Sequence, residues 1–187
     1  FKVVCMGILF GLVGQLFAFL LGKIRFISRL YIKNPYLRIF VMGSGLALLF
    51  FVCGQGRYSG LGTNLVQSAL NGGTIYPWDW VCKMLFTVFC LSAGFQGGEV
   101  TPLFAIGASL GLVLARLFGL PLALGAALGY VAVFGAGTNT FLAPIAIGLE
   151  LFGPQYFYLF FIVCSVSYLF NKDLSIYSLQ EVIHGNE

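Results

Sequence analysis

The sequence predicts an all-α integral membrane protein in which full spans alternate with short, interrupted helices. Three observations carry that prediction. Of its 187 residues, 59% are hydrophobic and only 9% charged, whereas about a quarter is charged in soluble globular chains, so too little polar surface remains to face water. From Trp80 to Phe170 the chain is almost continuously apolar, its charges being Lys83, Glu99, Arg116 and Glu150. That stretch is cut by Pro102, Pro121, Pro144 and Pro154 and by many glycines, the pattern of discontinuous or re-entrant membrane helices whose ends lie in protein or line a cavity.

Taken in order, residues 3 to 22 are uncharged and long enough to cross a hydrocarbon core of ~30 Å. Gly7 and Gly11 give that span a small-xxx-small face for close helix packing. Residues 23 to 38 carry Lys23, Arg25, Arg29, Lys33 and Arg38 with no acid, and are expected to form a polar linker to a second helix over 39 to 53. The next segment, 54 to 73, is rich in Gly, Asn and Ser, yet Leu61, Leu65, Val66 and Leu70 recur at helical spacing and predict a short helix. Beyond it, helices are expected over 80 to 93, 102 to 118, 122 to 135, 141 to 152 and 156 to 170, none of them a clean span. After the polar turn Asn171-Lys172-Asp173 a last short helix is expected at 173 to 182, within a terminal unit of 171 to 187 that ends in a polar tail.

The stretch from Gly94 to Gly111 concentrates the chemistry. Gly94, Gly97 and Gly98 allow close backbone approach and unusual dihedrals, Thr101 suits a helix N-cap, and Pro102 suits the first helical position. A helix starting there turns its unpaired amides and the positive end of its dipole toward whatever lies in front, so an anion would meet the donors of Gly98, Val100 and Thr101. The Thr101 hydroxyl can add another donor. Glu99 lies between two helices in a region short of charge, where ionisable side chains are costly and are usually functional; proton carriage is its expected chemistry.

Other functions find little support. The net charge of +4 is spread thinly, without the basic face that nucleic acid requires, and suits contact with anionic lipid at most. Cys5, Cys53, Cys82, Cys90 and Cys164 stand singly in apolar runs with no CxxC and no histidine partner, so they read as small hydrophobes and no metal or cofactor is implied. Gly43-Ser44-Gly45 and Gly54-Gln55-Gly56 lack the strand and downstream acid of a dinucleotide loop. No Cys/His, Ser/His or paired-carboxylate constellation suggests an enzyme.

Gly97-Gly98-Glu99-Val100-Thr101-Pro102 followed by Ile106-Gly107-Ala108 resembles the signature before a pore-facing helix in the CLC family of chloride channels and anion/proton antiporters. Phe134-Gly135-Ala136-Gly137, the run from Ala143-Pro144-Ile145 to Glu150-Leu151-Phe152-Gly153, and Ser175-Ile176-Tyr177 follow in the order of that family's second half. Most of the family has an apolar residue and then Phe where this chain has Glu99 and Val100, and the Glu-Val-Thr version resembles the fluoride-exporting branch. The resemblance implies one half of an inverted-repeat CLC fold, the C-terminal half of the transmembrane domain over 1 to 187. It further implies a homodimer in a bacterial plasma membrane, each subunit having its own anion pathway between two inverted halves. It gives Glu99 a place in the transport cycle and points the Tyr177 hydroxyl at the central anion. Fluoride/proton antiport comes first, with a chloride/proton antiporter or chloride channel of the same fold second. The family's gating glutamate has no counterpart here, and the chain, which opens at Phe1 without an initiator Met or signal peptide, reads as a piece that would not transport alone.

Several side chains have more ordinary readings. Asn139, with Thr138 and Thr140, lies between two helices, where a capped turn comes first and pore lining second. Glu150 at a helix end opposes the dipole and is expected to find a structural partner. Arg116 and Lys83 are expected to reach the membrane interfaces, and His184 to be solvated. For orientation, the basic linker suggests the cytoplasmic side by the positive-inside rule, whereas the resemblance would put it outside with the C terminus inside.

Overall fold

A computed structural model describes residues 1–52, 56–170 and 175–177, and these are helical almost throughout. Eight α-helices are described: α1 (Lys2–Tyr31), α2 (Pro35–Val52), α3 (Thr63–Leu70), α4 (Asp79–Ala93), α5 (Val100–Phe118), α6 (Leu122–Thr138), α7 (Leu142–Phe152) and α8 (Phe157–Leu169), with a 3₁₀ turn at Pro154–Tyr156 before the last. Three of them, α1, α2 and α5, are long and apolar enough to cross a membrane, while α6, α7 and α8 are shorter. The expectation that no clean span follows residue 80 is therefore corrected at α5, which starts two residues earlier than its sequence signals suggest. The helix expected at 173 to 182 lies largely outside the described residues.

The linker expected at 23 to 38 is mostly not a linker. From Lys23 to Tyr31 the chain contains neither Gly nor Pro, and Lys, Arg and Leu are good helix formers, so α1 continues to Tyr31 and carries the basic residues on its last turns. At ~1.5 Å per residue its 30 residues reach ~45 Å, beyond a ~30 Å apolar layer. It stops at Ile32, and Asn34 Oδ1 then accepts from the amides of Tyr36 at 3.0 Å and Leu37 at 3.4 Å, capping α2 with Pro35 at its first position.

At the centre lies the antiparallel pair α5 and α6, the most extensively packed of all. Lipid tails are as apolar as leucine, so membrane helices associate through close packing, which small residues permit. Gly107 and Gly111 of α5 face Gly129 and Gly125 of α6, and a Cβ added at any of the four would overlap the opposing helix. The α1 glycines act likewise: Gly7 and Gly11 lie against Val163, Val166 and Ser167 of α8, and Gly14 against Ala136 and Gly137 of α6. Around this seam, Met6, Phe10, Phe17, Leu128, Val131, Phe160 and Val163 form the main core. By contrast α2 buries only Leu46 among its residues.

Candidate functional site

The site is built where α4 ends and α5 begins. Gly94 closes α4 in the left-handed region at φ 108° and donates to the Leu91 carbonyl, the helix end that glycine favours. Gly97 and Gly98 are exposed and have no positive φ; a Cβ on Gly97 would meet nothing within 4 Å. Their contribution is therefore an open, uncovered backbone rather than an unusual dihedral. The start of α5 also differs from its sequence signals: Glu99 occupies the N-cap, Val100 the first position and Thr101 the second, with no side-chain cap. Because Pro102 has no N–H, the unpaired amides of the first turn are those of Glu99, Val100 and Thr101. Thr101 thus keeps a hydroxyl that bonds to nothing among the described residues, and that oxygen lies over Gly98.

Glu99 does not stand alone. Arg25, on the extended end of α1, places Nη2 2.7 Å from Glu99 Oε1, both side chains about a quarter exposed. The pair borders a cavity of about 420 Å³ lined also by Arg29, Arg38 and Gln96. Neighbouring bonds fix the frame: Ser28 donates to the Ser92 carbonyl at 2.8 Å and Arg38 Nε to the Ala93 carbonyl at 3.2 Å, so α1 and α2 satisfy the terminal carbonyls of α4. On its other side Arg25 borders a second cavity, about 230 Å³, with Arg29, Ser175 and Ile176. Nothing in the sequence singled out Arg25 from its four basic neighbours.

Ser175 and Ile176 dock on the end of α6, Ile176 donating to the Gly137 carbonyl at 3.0 Å and Ser175 Oγ to the Thr138 carbonyl at 3.2 Å. Tyr177 follows, half exposed, its amide on Ser175 Oγ, and it borders neither the cavity beside Glu99 nor that beside Gly98. Arg25 and Arg29 each border both the cavity beside Glu99 and the one beside Ser175 and Ile176, and of the two Arg25 bonds to Glu99. The residues beyond Tyr177, which carry the C terminus, lie outside the described residues. Asn139 ends α6 in the left-handed region at φ 53°, its amide on the Gly135 carbonyl, as a capped turn requires; beside it the Thr138 and Thr140 hydroxyls bond each other at 2.7 Å.

A second polar cluster escaped the sequence reading. Asp79, fully buried at the start of α4, accepts from Arg57 Nε and Nη2 at 3.1 and 2.6 Å, from the Tyr58 hydroxyl at 2.8 Å and from the Tyr76 amide at 2.8 Å. Burial first, and then this bond to Asp79, pushes the Tyr58 hydroxyl well above the usual tyrosine range, keeping it a donor. One turn on, Lys83 does not reach an interface: it is 1% exposed and donates to the carbonyls of Tyr58 at 3.0 Å and Gly60 at 2.7 Å. The loop before α3 folds over it, and together with Gly97, Gly98 and Pro102 it borders a cavity of about 230 Å³. The available signal was the rarity of charge itself, since an ionisable group in an apolar helix demands a partner. Arg116 is exposed, with Nη1 3.3 Å from the Ile75 carbonyl. Glu150 departs from expectation: it is exposed and pairs with nothing among the described residues. His184 lies outside the described residues.

Comparison with known proteins agrees with this architecture. A family model described as voltage gated chloride channel matches residues 1–172. A chloride/fluoride channel protein of Pseudomonas syringae pv. tomato is 45% identical over 98% of this chain and 42% of its own length. The crystal structure of a CLC-type fluoride/proton antiporter superposes with a TM-score of 0.95 at 52% identity, over 96% of this chain and 46% of that one. The chain thus spans less than half the length of either relative. With the family model matching residues 1–172 and both relatives covering nearly all of its length, this membrane chain belongs to the voltage-gated chloride channel, or CLC, family.

Proposed function

We propose that this chain is the C-terminal half of the transmembrane domain of a fluoride/proton antiporter, working as a multi-pass homodimer in a bacterial plasma membrane. The observation that carries the reading is Glu99-Val100-Thr101 at the start of α5, a titratable acid beside unpaired amides and a free hydroxyl. Fluoride is small and strongly hydrated, so a site for it replaces water with well-placed donors. The amides from Gly98 to Thr101 and the hydroxyl of Thr101 supply them, Glu99 carries the proton, and Tyr177 adds a hydroxyl from the terminal segment. Asn139, at the end of α6, lines the pathway's edge. The remaining half of the pathway, including the gating glutamate, comes from chain beyond these residues. By the positive-inside rule the end of α1, with the 175–177 segment beside it, faces the cytoplasm.

The test is to reconstitute the full-length protein in liposomes loaded with fluoride or chloride and follow efflux with ion electrodes. Fluoride efflux coupled to proton uptake is expected, and comparable efflux of both anions would defeat the selectivity. Chloride transport is the second reading, favoured by the naming of the Pseudomonas relative as a chloride/fluoride channel protein.

A further inference from the structure

We propose that Arg25 couples the two ions, because the Glu99 carboxylate and the incoming anion compete for its guanidinium. This rests on the reading of Glu99 as the proton carrier. Among the described residues Glu99 has one side-chain partner, the 2.7 Å bond from Arg25 Nη2, and both groups face a cavity of about 420 Å³ large enough for a hydrated small anion. Every other charged group bordering that cavity is positive: Arg29 from α1 and Arg38 from α2. The rest of the lining, Leu91 at the end of α4 and Gly94 to Gly97 after it, is uncharged, and the Ser92 and Ala93 carbonyls are held by Ser28 and Arg38. With Glu99 ionised, one arginine is neutralised by an internal carboxylate. When Glu99 takes a proton from solution it becomes a neutral acid, and Arg25 is left beside the cavity without a counter-charge.

A guanidinium about a quarter exposed and released by its carboxylate is a charge-assisted donor for another anion, and a small monovalent anion entering the cavity restores the balance. The exchange conserves charge: one proton arrives on a Glu99 oxygen, one anion replaces the carboxylate on Arg25, and no covalent bond is made or broken besides the O–H. Arg25 is well placed for this, since its other side borders the cavity that contains Ser175 and Ile176, so an anion on it sits between the α5 start and the terminal segment. Arg25 is a positioning residue for Glu99 and a transient ligand for the anion.

The experiment measures fluoride affinity of the full-length protein in detergent by calorimetry across pH, alongside flux in liposomes. Mutual exclusion of the carboxylate and the anion predicts that parental affinity weakens by up to about tenfold per pH unit as Glu99 loses its proton. Glu99→Gln should bind at the tight, low-pH level at every pH. Arg25→Gln should bind weakly with a slope below about twofold per pH unit, and Arg25→Lys, which keeps the charge and guards against a folding artefact, should restore the slope. An Arg25→Gln protein retaining the parental slope would overturn the proposal, as would coupled parental transport with pH-independent affinity. A parent that moves neither fluoride nor protons would instead overturn the transport reading beneath it.

Discussion

Two acid–arginine pairs of similar length have opposite characters. Asp79 is 0% exposed and accepts four hydrogen bonds, from Arg57, Tyr58 and the Tyr76 amide, within a corner closed by the loop before α3. Among the described residues Glu99, 22% exposed, accepts one, from Arg25, over an open cavity. A carboxylate whose lone pairs are filled by rigidly placed donors has little freedom to move, whereas one with a single partner can exchange it. Saturation, rather than the mere presence of an ion pair, is what distinguishes Asp79 from Glu99.

The largest effect should come from breaking the saturated pair. Asp79→Ala leaves Arg57, the Tyr58 hydroxyl and the Tyr76 amide without their acceptor, and a loss of ~3–5 kcal/mol is expected in detergent–SDS unfolding. A loss below ~1 kcal/mol would erase the contrast. Glu99→Gln makes the opposite case: stability should change by less than ~1 kcal/mol, as for an exposed pair, while proton flux read with a pH-sensitive dye disappears in the full-length protein. Coupled exchange at the parental ratio would make Glu99 a structural acid like Asp79.

Smaller effects sharpen the same distinction at groups with spare hydrogen-bonding capacity. Thr101→Val preserves shape and removes a hydroxyl bonded to nothing among the described residues, so folding should be unaffected while fluoride affinity falls by ~1 kcal/mol, about fivefold. Tyr177→Phe should weaken anion binding or coupling by a smaller factor, because the ring borders neither cavity at the loop. Unchanged affinity and unchanged proton-to-anion ratio would assign Tyr177 to packing alone.

Much of this organisation was legible before any coordinates. The breaks at Pro121, Gly153 and Pro154, the helical spacing around Leu65, and the Gly-rich turn before Pro102 each correspond to an element edge within about three residues, since backbone dihedrals and hydropathy act locally. Even the Gly7 and Gly11 face was readable, because small residues four apart have one structural use in an apolar helix. The end of α1 was misread for the opposite reason: charge between residues 23 and 31 suggested a linker, but a helix needs only permissive backbones, and projecting beyond the apolar layer lets charged turns remain helical. Glu150 was expected to need a partner, yet burial decides that need, and burial is not a local property.

What the chain alone determined is therefore its membrane setting, the order of its helices and the acid at the start of α5, all of which follow from hydropathy, Gly, Pro and neighbouring residues. The partners of its charges were decided by the tertiary structure. Arg25 and Glu99 are 74 residues apart in sequence, and chemistry does not distinguish Arg25 from Arg29 or Arg38. Asp79 and Lys83 stand one turn apart on α4, yet the fold gives Asp79 to Arg57 and Lys83 to two backbone carbonyls. Which cation meets which acid depends on where helix packing leaves each side chain, and that packing is set by glycine seams such as α5 against α6, remote from the charges themselves.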